Sequence, residues 1–433
     1  MMRRNVLYTC LIILFFATPF VYDYIDSRGG YKASDKAEIE FWQYWSGPEK
    51  KTLEKLVNQF NEEDYDFRVK LRTISLPRKK ILMSITAGMP PDLVHLDGDM
   101  VNDFALRNAL QAMDFEGLTL EKEDFLESYL KMLEISGKQY AVPLMPTAEA
   151  MHINSSLLNK FKLEEPETLE DIIKISDEII AQADFKQFGF LPTWPIWTGR
   201  MSVYLFHGAW AKPLGDSSYE ITANLPENIR AWNWLLDNFI SKIPQDELQA
   251  FIEGKISYQS PDNPFYSGKV AIESNGIWEH GFVKKFASQY EIKVKAFPDI
   301  DGVTENPPTE LTVDALAIPR GARHYRETME FISWLLSKEN ISYLAKEQNK
   351  FPPLKLSEEE EKDFVENHKH PYVDVFMDIA KSKNAYYFPH LSFSKEYKRE
   401  IKKAFDYVLR LEKSPEEALN DLQFKMLVVQ GRF

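Results

Sequence analysis

The chain has 433 residues, of which 44% are hydrophobic and 27% are charged, as in an ordinary globular protein of two or three domains. Its formal net charge of −14 argues against a nucleic-acid partner, because phosphate binding needs a basic surface. The single cysteine, Cys10, excludes an internal disulfide framework and a cysteine-based metal site.

The first 25 residues predict a signal peptide or an N-terminal membrane anchor. Arg3 and Arg4 precede an apolar run over 6–22 that ends at Asp23, which is the order of an export signal. No small-residue cleavage pattern precedes Asp23, so the sequence leaves cleavage open. The arginines predict that the main body lies outside the cytoplasm. It is then either periplasmic or anchored to the outer face of the inner membrane. The polar residues 26–36 predict a linker.

The folded part opens with strands and helices in alternation. Residues 38–45 alternate in polarity with the period of a strand. Ser46, with Glu49 three residues further on, predicts a capping box at the start of an amphipathic helix. A second strand, a second helix and a short third strand over 90–96 complete a βαβαβ order. This order predicts a mainly parallel, doubly wound α/β sheet.

A second α/β unit follows. Thr168 predicts the start of a long helix, and residues 188–191 are strand-like. The stretch SGKVAIESNGIWEH, residues 267–280, predicts a buried strand, a glycine-containing junction and a helix. Trp278 then lies at the carboxyl end of a strand, where open α/β folds bind ligands. Another apolar strand is expected over 313–319, and helices dominate the remaining C-terminal part.

Several stretches, in this order and spacing, carry a resemblance to a known family. They are EFWQYWSGPEKKTLEKLVNQFNEE, ITAGMPPDLVHLDGDMVNDFALRNALQAMD, GKQYAVPLMPTAEAMHINSSLLNKF, SGKVAIESNGIWEHG and LTVDALAIPRGARHYRETMEFISWLL. Over roughly residues 38–430 the chain resembles the extracellular solute-binding proteins of bacterial ABC importers, family 1, and among them the maltose-binding-like, sugar-binding branch. The resemblance implies a receptor that captures a carbohydrate, in particular an oligosaccharide, and delivers it to the transmembrane subunits of an ABC permease. We expect a monomer that needs no cofactor.

The resemblance also implies a two-lobe clamshell of the periplasmic-binding-protein type, with discontinuous lobes, central mixed sheets and hinge crossings between them. Ligand is then held in the interlobe cleft, and the lobes close on it. Transferred to this chain, lobe one comprises residues 37–143 and 291–321. Lobe two comprises residues 144–290 and 322–433.

The first candidate ligand-binding residues follow predicted strands. Tyr44, Trp45 and Ser46 follow the first strand. They lie at the edge of the sheet where α/β folds bind ligands. Asp97 and Asp99 follow the third strand. Their carboxylates can accept hydrogen bonds from sugar hydroxyls, although Asp is also a preferred helix cap.

Aromatic residues supply most of the other candidates. A pyranose has an apolar C–H face that can stack on an indole, and a rim of hydroxyls that polar side chains can bind. Trp278 is the strongest of these candidates, because the resemblance implies a cleft tryptophan at this position. Glu279 beside it either binds a hydroxyl or serves the helix dipole. The remaining candidates belong to two loop regions: Trp194, Trp197 and Trp210 in the first, and Tyr387 and His390 in the second.

Catalytic motifs are missing from the sequence. It contains no GxSxG, no GxxxxGK[ST], no HExxH and no GxGxxG, so we expect no enzyme and no metal centre. Two alternatives stay open. A retained N-terminal segment would make the chain a membrane-tethered ectodomain that senses ligand for a signalling partner. Two carboxylates in an aromatic cleft would also fit a glycoside hydrolase.

Overall fold

The computed structural model describes residues 36–193, 197–215, 218–253, 260–302 and 305–431. The predicted signal or anchor segment, the predicted linker up to residue 35, and Trp194 lie outside these ranges. Within them, no helix combines the length and the apolar character needed to cross a membrane.

The N-terminal unit has the predicted βαβαβ order. It consists of β1 (Ala37–Gln43), α1 (Gly47–Glu62), β2 (Phe67–Thr73), α2 (Pro77–Thr86) and β3 (Leu93–Asp97). The central strand β1 pairs in parallel with both β2 and β3. The parallel, doubly wound start of the sheet is therefore confirmed.

The start of α1 differs from the predicted capping box. Ser46 occupies the N-cap position, but its side chain makes no capping hydrogen bond. Gly47 has a φ of +57°, a left-handed conformation that glycine adopts at no steric cost, and Pro48 supplies a φ suited to the first helical turn. The backbone conformation of these two residues begins the helix, so the Ser46 hydroxyl is not used in it.

The remaining elements alternate less regularly. The helices are α3 (Gly98–Leu106), α4 (Glu127–Lys131), α5 (Ser155–Lys160), α6 (Leu169–Ala183), α7 (Thr198–Met201), α8 (Pro226–Asn238), α9 (Gln245–Glu253), α10 (Glu279–Phe286), α11 (Tyr325–Leu335), α12 (Lys338–Gln348), α13 (Glu358–Glu366), α14 (Val373–Ala380), α15 (Ser394–Leu409) and α16 (Pro415–Gln430). The strands are β4 (Glu134–Ile135), β5 (Lys138–Gln139), β6 (Ala141–Asn154), β7 (Phe188–Phe190), β8 (Ala211–Pro213), β9 (Tyr219–Ile221), β10 (Val270–Gly276), β11 (Ile292–Lys295), β12 (Thr309–Ala317) and β13 (Ala385–Tyr386). Thr168 begins α6 with a capping box, so the predicted helix start at this residue is confirmed.

The longest strand, β6, connects the two halves of a mixed sheet. The strand order is β2-β1-β3-β12-β6-β10-β7. Residues 141–148 of β6 pair antiparallel with β12, and residues 149–154 pair antiparallel with β10 or β11. All 14 residues of β6 are buried. The strand therefore belongs to both halves, as a crossing strand between lobes does.

Two large hydrophobic clusters divide the described residues. The first contains the core of the N-terminal unit, β6 as far as Ala150, and β12, and the second continues from Met151. Helices α11–α14 pack in the first cluster, whereas α15 and α16 pack in the second. This packing differs from the predicted assignment of all of 322–433 to lobe two. We therefore propose a lobe boundary within β6 and another between α14 and residue 388.

Candidate ligand-binding cleft

A cavity of about 910 Å³ lies between residues of the two clusters. One wall is formed by the β1–α1 and β3–α3 junctions and by the end of α12. The other wall is formed by α10 and by the segment from residue 388 into α15. Residues 310–314 of β12 and Thr147 of β6 also line it. The cavity is thus bounded by the two walls and by residues of β6 and β12.

Six of the predicted site residues come together in this cavity, in addition to His390. Tyr44, Trp45 and Ser46 line it from the β1–α1 junction, and Asp97 and Asp99 line it from the β3–α3 junction. Trp278 lies on the opposite wall, at the N-cap position of α10. Residues that were predicted from their positions at the ends of strands therefore lie on both walls of one cavity.

Trp210 lies elsewhere, in the second hydrophobic cluster. It is only 1% exposed, and its ring centroid lies 6.1 Å from those of Trp232 and of Tyr397. Its Nε1 donates a hydrogen bond to the carbonyl oxygen of Arg200 at 3.1 Å. The predicted ligand contact is wrong for this residue, because the enclosed indole has no face left for a ligand.

Three other candidates also do not line the cavity. Glu279 is fully buried at the start of α10, where burial and the nearby Glu279 carboxylate raise the pKa of Tyr266. Trp197 packs half-buried against the second cluster. Tyr387 packs against the first cluster, with its ring centroid 5.2 Å from that of His390. His390 itself does line the cavity, and Trp194 lies outside the described residues.

The indole of Trp278 rests on the backbone of Gly276, the last residue of β10. A side-chain carbon added at Gly276 would overlap the ring carbons Cζ3 and Cη2 of Trp278. Glycine is therefore required at this position for the indole to lie where it does. The N-G-I-W order in the sequence thus has a steric explanation.

We expect the Gly276→Ala variant to lower the free energy of unfolding by about 1–3 kcal/mol, the usual cost of overpacking. The matched control is Gly281→Ala, because an added carbon at Gly281 meets nothing within 4 Å. In a helix this control should leave stability unchanged or slightly higher. Urea denaturation measures both variants, and equal stability of Gly276→Ala and the wild type would contradict the inferred ring position.

A largely enclosed carboxylate, Asp314 of β12 with a side chain 17% exposed, organises the first wall. Its Oδ1 accepts hydrogen bonds from the Tyr44 hydroxyl at 2.8 Å and from His95 Nε2 at 3.0 Å. Its Oδ2 accepts one from Trp45 Nε1 at 3.3 Å and lies 3.7 Å from Lys350 Nζ. Burial alone would raise the pKa of Asp314, but His95, Lys350 and the Tyr44 hydroxyl hold it well below its usual range.

Lys350, directly after α12, completes this wall. It is only 4% exposed, and its Nζ bonds Glu49 Oε1 at 2.8 Å. The ammonium also lies 5.2 Å from the centre of the Trp45 ring, within cation–π range. Asp314 and Lys350 therefore hold Tyr44, Trp45 and Glu49 in place without a ligand. This preorganisation reduces the entropy cost of binding.

A second buried network lies below the cavity and connects three strands. Arg200 of α7 donates hydrogen bonds from Nε to both carboxylate oxygens of Glu310 on β12, each at 3.0 Å. Glu149 of β6 accepts a hydrogen bond from Ser274 of β10 at 2.9 Å. Burial, reinforced by the negative charge of Glu310, raises the pKa of Glu149 to about 8, although Arg200 opposes the shift. Glu149 is therefore largely protonated at neutral pH.

The raised pKa of Glu149 predicts a pH-dependent stability. The folded state retains a proton that the unfolded chain releases near its ordinary pKa of about 4.3. The contribution of this proton is fully present below that value and is lost as the pH rises towards 8. We expect Glu149→Gln, which stays neutral, to flatten the decrease in stability between about pH 5 and pH 8, as measured by denaturant titration at each pH. An unchanged slope would contradict the assignment.

The two walls also contact each other directly at one end of the cavity. Lys398 of α15 pairs with Asp99 at 2.6 Å. Nearby, Asn102 Nδ2 of α3 donates a hydrogen bond to the carbonyl oxygen of Leu391 at 3.1 Å. Asp97 accepts a hydrogen bond from the backbone nitrogen of Met100 at 2.8 Å and so caps α3. Asp99 and Asp97 therefore both have structural partners in addition to lining the cavity.

The lining is both aromatic and acidic. Five aromatic side chains line the cavity, together with six carboxylates and three lysines. Two of the lysines are paired with lining carboxylates, as described above. An excess of carboxylates repels an anionic solute and provides hydrogen-bond acceptors for a hydroxyl-rich one. The aromatic residues are Tyr44, Trp45, Trp278, Phe282 and Phe388.

Comparison with known proteins identifies the family. The profile of the bacterial extracellular solute-binding proteins matches residues 55–371, about three quarters of the chain. The chain is a bacterial extracellular solute-binding protein. The resemblance noted in the sequence is therefore confirmed at the level of the family, and export from the cytoplasm accords with it.

This solute-binding protein has relatives of low sequence identity. It is 21% identical, over 319 residues, to a multiple sugar-binding protein of Streptococcus mutans, with 71% of this chain and 73% of the relative aligned. Putative binding proteins of Brucella are 22% identical over 269 residues, which span 60% of this chain and 62% of theirs.

Two solved structures share the fold of this solute-binding protein. One is the GacH receptor of Streptomyces glaucescens, with a TM-score of 0.75, 19% identity and coverage of 92% of this chain and 99% of that one. The other is the cyclic α-maltosyl-1,6-maltose binding protein of Arthrobacter globiformis, with a TM-score of 0.74, 18% identity and coverage of 92% and 100%. The predicted two-lobe fold class is thereby confirmed.

Several residues of the cavity were not predicted from the sequence of this solute-binding protein. Asp314 had a visible signal, since it is the single charged residue in the apolar strand VDALAIP. Lys350 and Glu310 had no comparable signal, because their roles depend on partners about 300 and 110 residues away in sequence, Glu49 and Arg200.

Proposed function

We propose that this solute-binding protein captures a neutral carbohydrate, of oligosaccharide length, in the interlobe cleft and delivers it to an ABC permease. Supporting this proposal, the sugar-binding protein of Streptococcus mutans is a relative, and the GacH receptor was solved in complex with acarbose. The proposal places the protein outside the cytoplasm, periplasmic or held at the outer face of the inner membrane by its N-terminal segment.

The cavity is the observation that carries the proposal. Its volume of about 910 Å³ is near the upper end of the range of small-molecule pockets, roughly 300–1,000 Å³, and so has room for more than one sugar ring. Aromatic side chains on both walls can stack on the apolar faces of those rings. The carboxylates between them can accept hydrogen bonds from hydroxyls.

Trp278 on one wall and Tyr44 on the other are the proposed stacking residues, and Trp45, which is only 5% exposed, is proposed to contact the ligand with the small part of its side chain that faces the cavity. Asp97 and Asp99 are the proposed hydroxyl acceptors, with Ser46 as a further polar contact. Of the two walls, the first is organised by the hydrogen bonds of Asp314. Binding therefore adds contacts from the second wall to a surface that is already ordered, which suits a clamshell that closes on its ligand.

A thermal-shift screen tests the proposed ligand class. The panel contains neutral oligosaccharides of several linkages, their monosaccharides, an acidic oligosaccharide and short peptides. We expect at least one neutral oligosaccharide to raise the melting temperature, because a ligand that binds only the folded state stabilises it. A shift with peptides or acidic sugars alone would contradict the proposal.

Binding without turnover is part of the same proposal. The oligosaccharide that shifts the melting temperature is incubated with the protein, and new reducing ends are measured. We expect none, because five of the six lining carboxylates, Asp99, Glu310, Asp314, Glu49 and Glu347, are engaged in ion pairs and the sixth, Asp97, caps α3. Release of reducing sugar would instead support a hydrolase.

Size-exclusion chromatography with light scattering should give a monomer.

A further inference from the structure

A second cluster of polar side chains lies outside the cleft, at a turn between β11 and β12. The turn is Asp299-Ile300-Asp301-Gly302, in which the backbone nitrogens of Asp299 and Gly302 each donate to the other residue's carbonyl oxygen at 3.0 Å. The Ile300 nitrogen donates to the carbonyl oxygen of Leu205 at 2.9 Å. These bonds fix the turn against the 3₁₀ segment Ser202–Phe206.

His207 follows that 3₁₀ segment and faces the turn. Its φ of +59° is uncommon for a residue other than glycine. One imidazole nitrogen of His207 and one carboxylate oxygen from each of Asp299 and Asp301 lie within 4.8 Å of one another. His207 Nε2 is 2.9 Å from Asp301 Oδ2. The backbone thus brings three metal-ligating groups together from two separate segments.

Asp299 supplies an independent indication that a ligand belongs here. The residue is only 2% exposed, and its Oδ1 accepts a hydrogen bond from the Asp301 nitrogen at 2.9 Å. Its Oδ2 is buried without a hydrogen-bond partner among the described residues. A buried carboxylate oxygen without a partner costs free energy unless a cation or a donor compensates for it.

We propose that His207, Asp299 and Asp301 bind one divalent transition-metal cation of the Zn²⁺ type. Imidazole suits first-row transition metals, whereas Ca²⁺ and Mg²⁺ prefer ligands that are all oxygen. Three protein ligands, completed by water, meet the four-coordinate preference of Zn²⁺. Neither the histidine nor the two aspartates line the cleft, so the site is separate from the proposed sugar site.

The site has a structural consequence. The 299–302 turn belongs to the segment that runs from β11, which pairs with β6 at residues 151–154, to β12, which pairs with β6 at residues 141–148. A bound ion links this connecting segment to the 3₁₀ segment next to the second cluster. We therefore expect metal to stabilise the protein without being required for sugar binding.

Calorimetric titration of Zn²⁺ into the EDTA-treated protein tests the proposal. We expect one ion per chain, and we expect His207→Ala and Asp301→Asn each to weaken binding by about tenfold or more, since even second-shell changes at metal sites cost about 10–100-fold. His324→Ala is the matched control, because His324 also pairs with a carboxylate, Asp92, at 3.1 Å but belongs to no three-residue cluster among the described residues.

Thermal unfolding gives a second readout. We expect saturating Zn²⁺ to raise the melting temperature of the wild type and of His324→Ala by about 3 °C, and not that of His207→Ala. Equal Zn²⁺ affinity in the wild type and His207→Ala would overturn the site, as would the absence of binding to the wild type. Tighter binding of Ca²⁺ or Mg²⁺ than of Zn²⁺ would overturn the assigned metal class.

Discussion

Replacing Asp314 with alanine should lower the free energy of unfolding by about 3–5 kcal/mol, the usual cost of removing one partner from a buried ion pair. The side chain is the common acceptor for Tyr44, Trp45 and His95. Without it, the buried Lys350 loses one of its two carboxylate partners, and three donors lose their acceptor. Denaturant titration at neutral pH measures the effect.

The matched control for this variant is Asp421→Ala. Asp421 also pairs with a lysine, Lys413 at 2.5 Å, but both side chains are exposed. Exposed pairs contribute little because water screens them, so this variant should leave stability nearly unchanged. If Asp314→Ala were as mild as Asp421→Ala, the first wall would not be organised by this carboxylate.

Replacing Trp278 with alanine should weaken oligosaccharide binding about 30-fold or more, which corresponds to about 2 kcal/mol. The indole is the large aromatic group of the second wall, and truncation removes its stacking surface. Because it is only half-buried, the fold should lose little stability. Isothermal titration with the oligosaccharide found in the screen measures the affinity, and thermal unfolding checks the fold.

Two further variants make this test specific. Trp42→Ala removes another half-buried tryptophan, which packs against the first cluster but does not line the cleft. It should bind sugar as tightly as the wild type. Trp278→Phe keeps an aromatic face and should recover part of the affinity. If Trp278→Ala and Trp42→Ala both bound like the wild type, Trp278 would not be a stacking residue.

Much of the fold follows from local patterns. The period-two alternation before Ser46 and the helical spacing after it predicted β1 and α1, and the βαβαβ order predicted parallel pairing correctly. The packing of the helices differs from the assignment of residues 322–433 to lobe two only for α11–α14, because amphipathic helices show which face is buried and not which core buries it. Helices α11–α14 return to the first cluster, and no local signal in the sequence encodes that return.

The site was predictable where it depends on strand ends. Tyr44 and Trp278 each follow a strand and Asp97 ends one, and the structure brings all three to one cavity. Trp210 was mispredicted, and Glu279 lies in the first turn of α10, as its alternative role at the helix dipole requires. A tryptophan or a glutamate beside a loop has the same local sequence whether it faces a cleft or a core. Asp314 was missed although its charge stands out in an apolar strand, and Lys350 was missed because its ion pair with Glu49 joins segments about 300 residues apart.

A crystal structure of the protein with the oligosaccharide that stabilises it tests the proposed function most directly. We expect sugar rings in the cavity between Trp278 and the Tyr44–Trp45 wall, with hydroxyls within hydrogen-bond distance of Asp97 or Asp99. Sugar bound at any other surface, with this cavity left to solvent, would contradict the proposal.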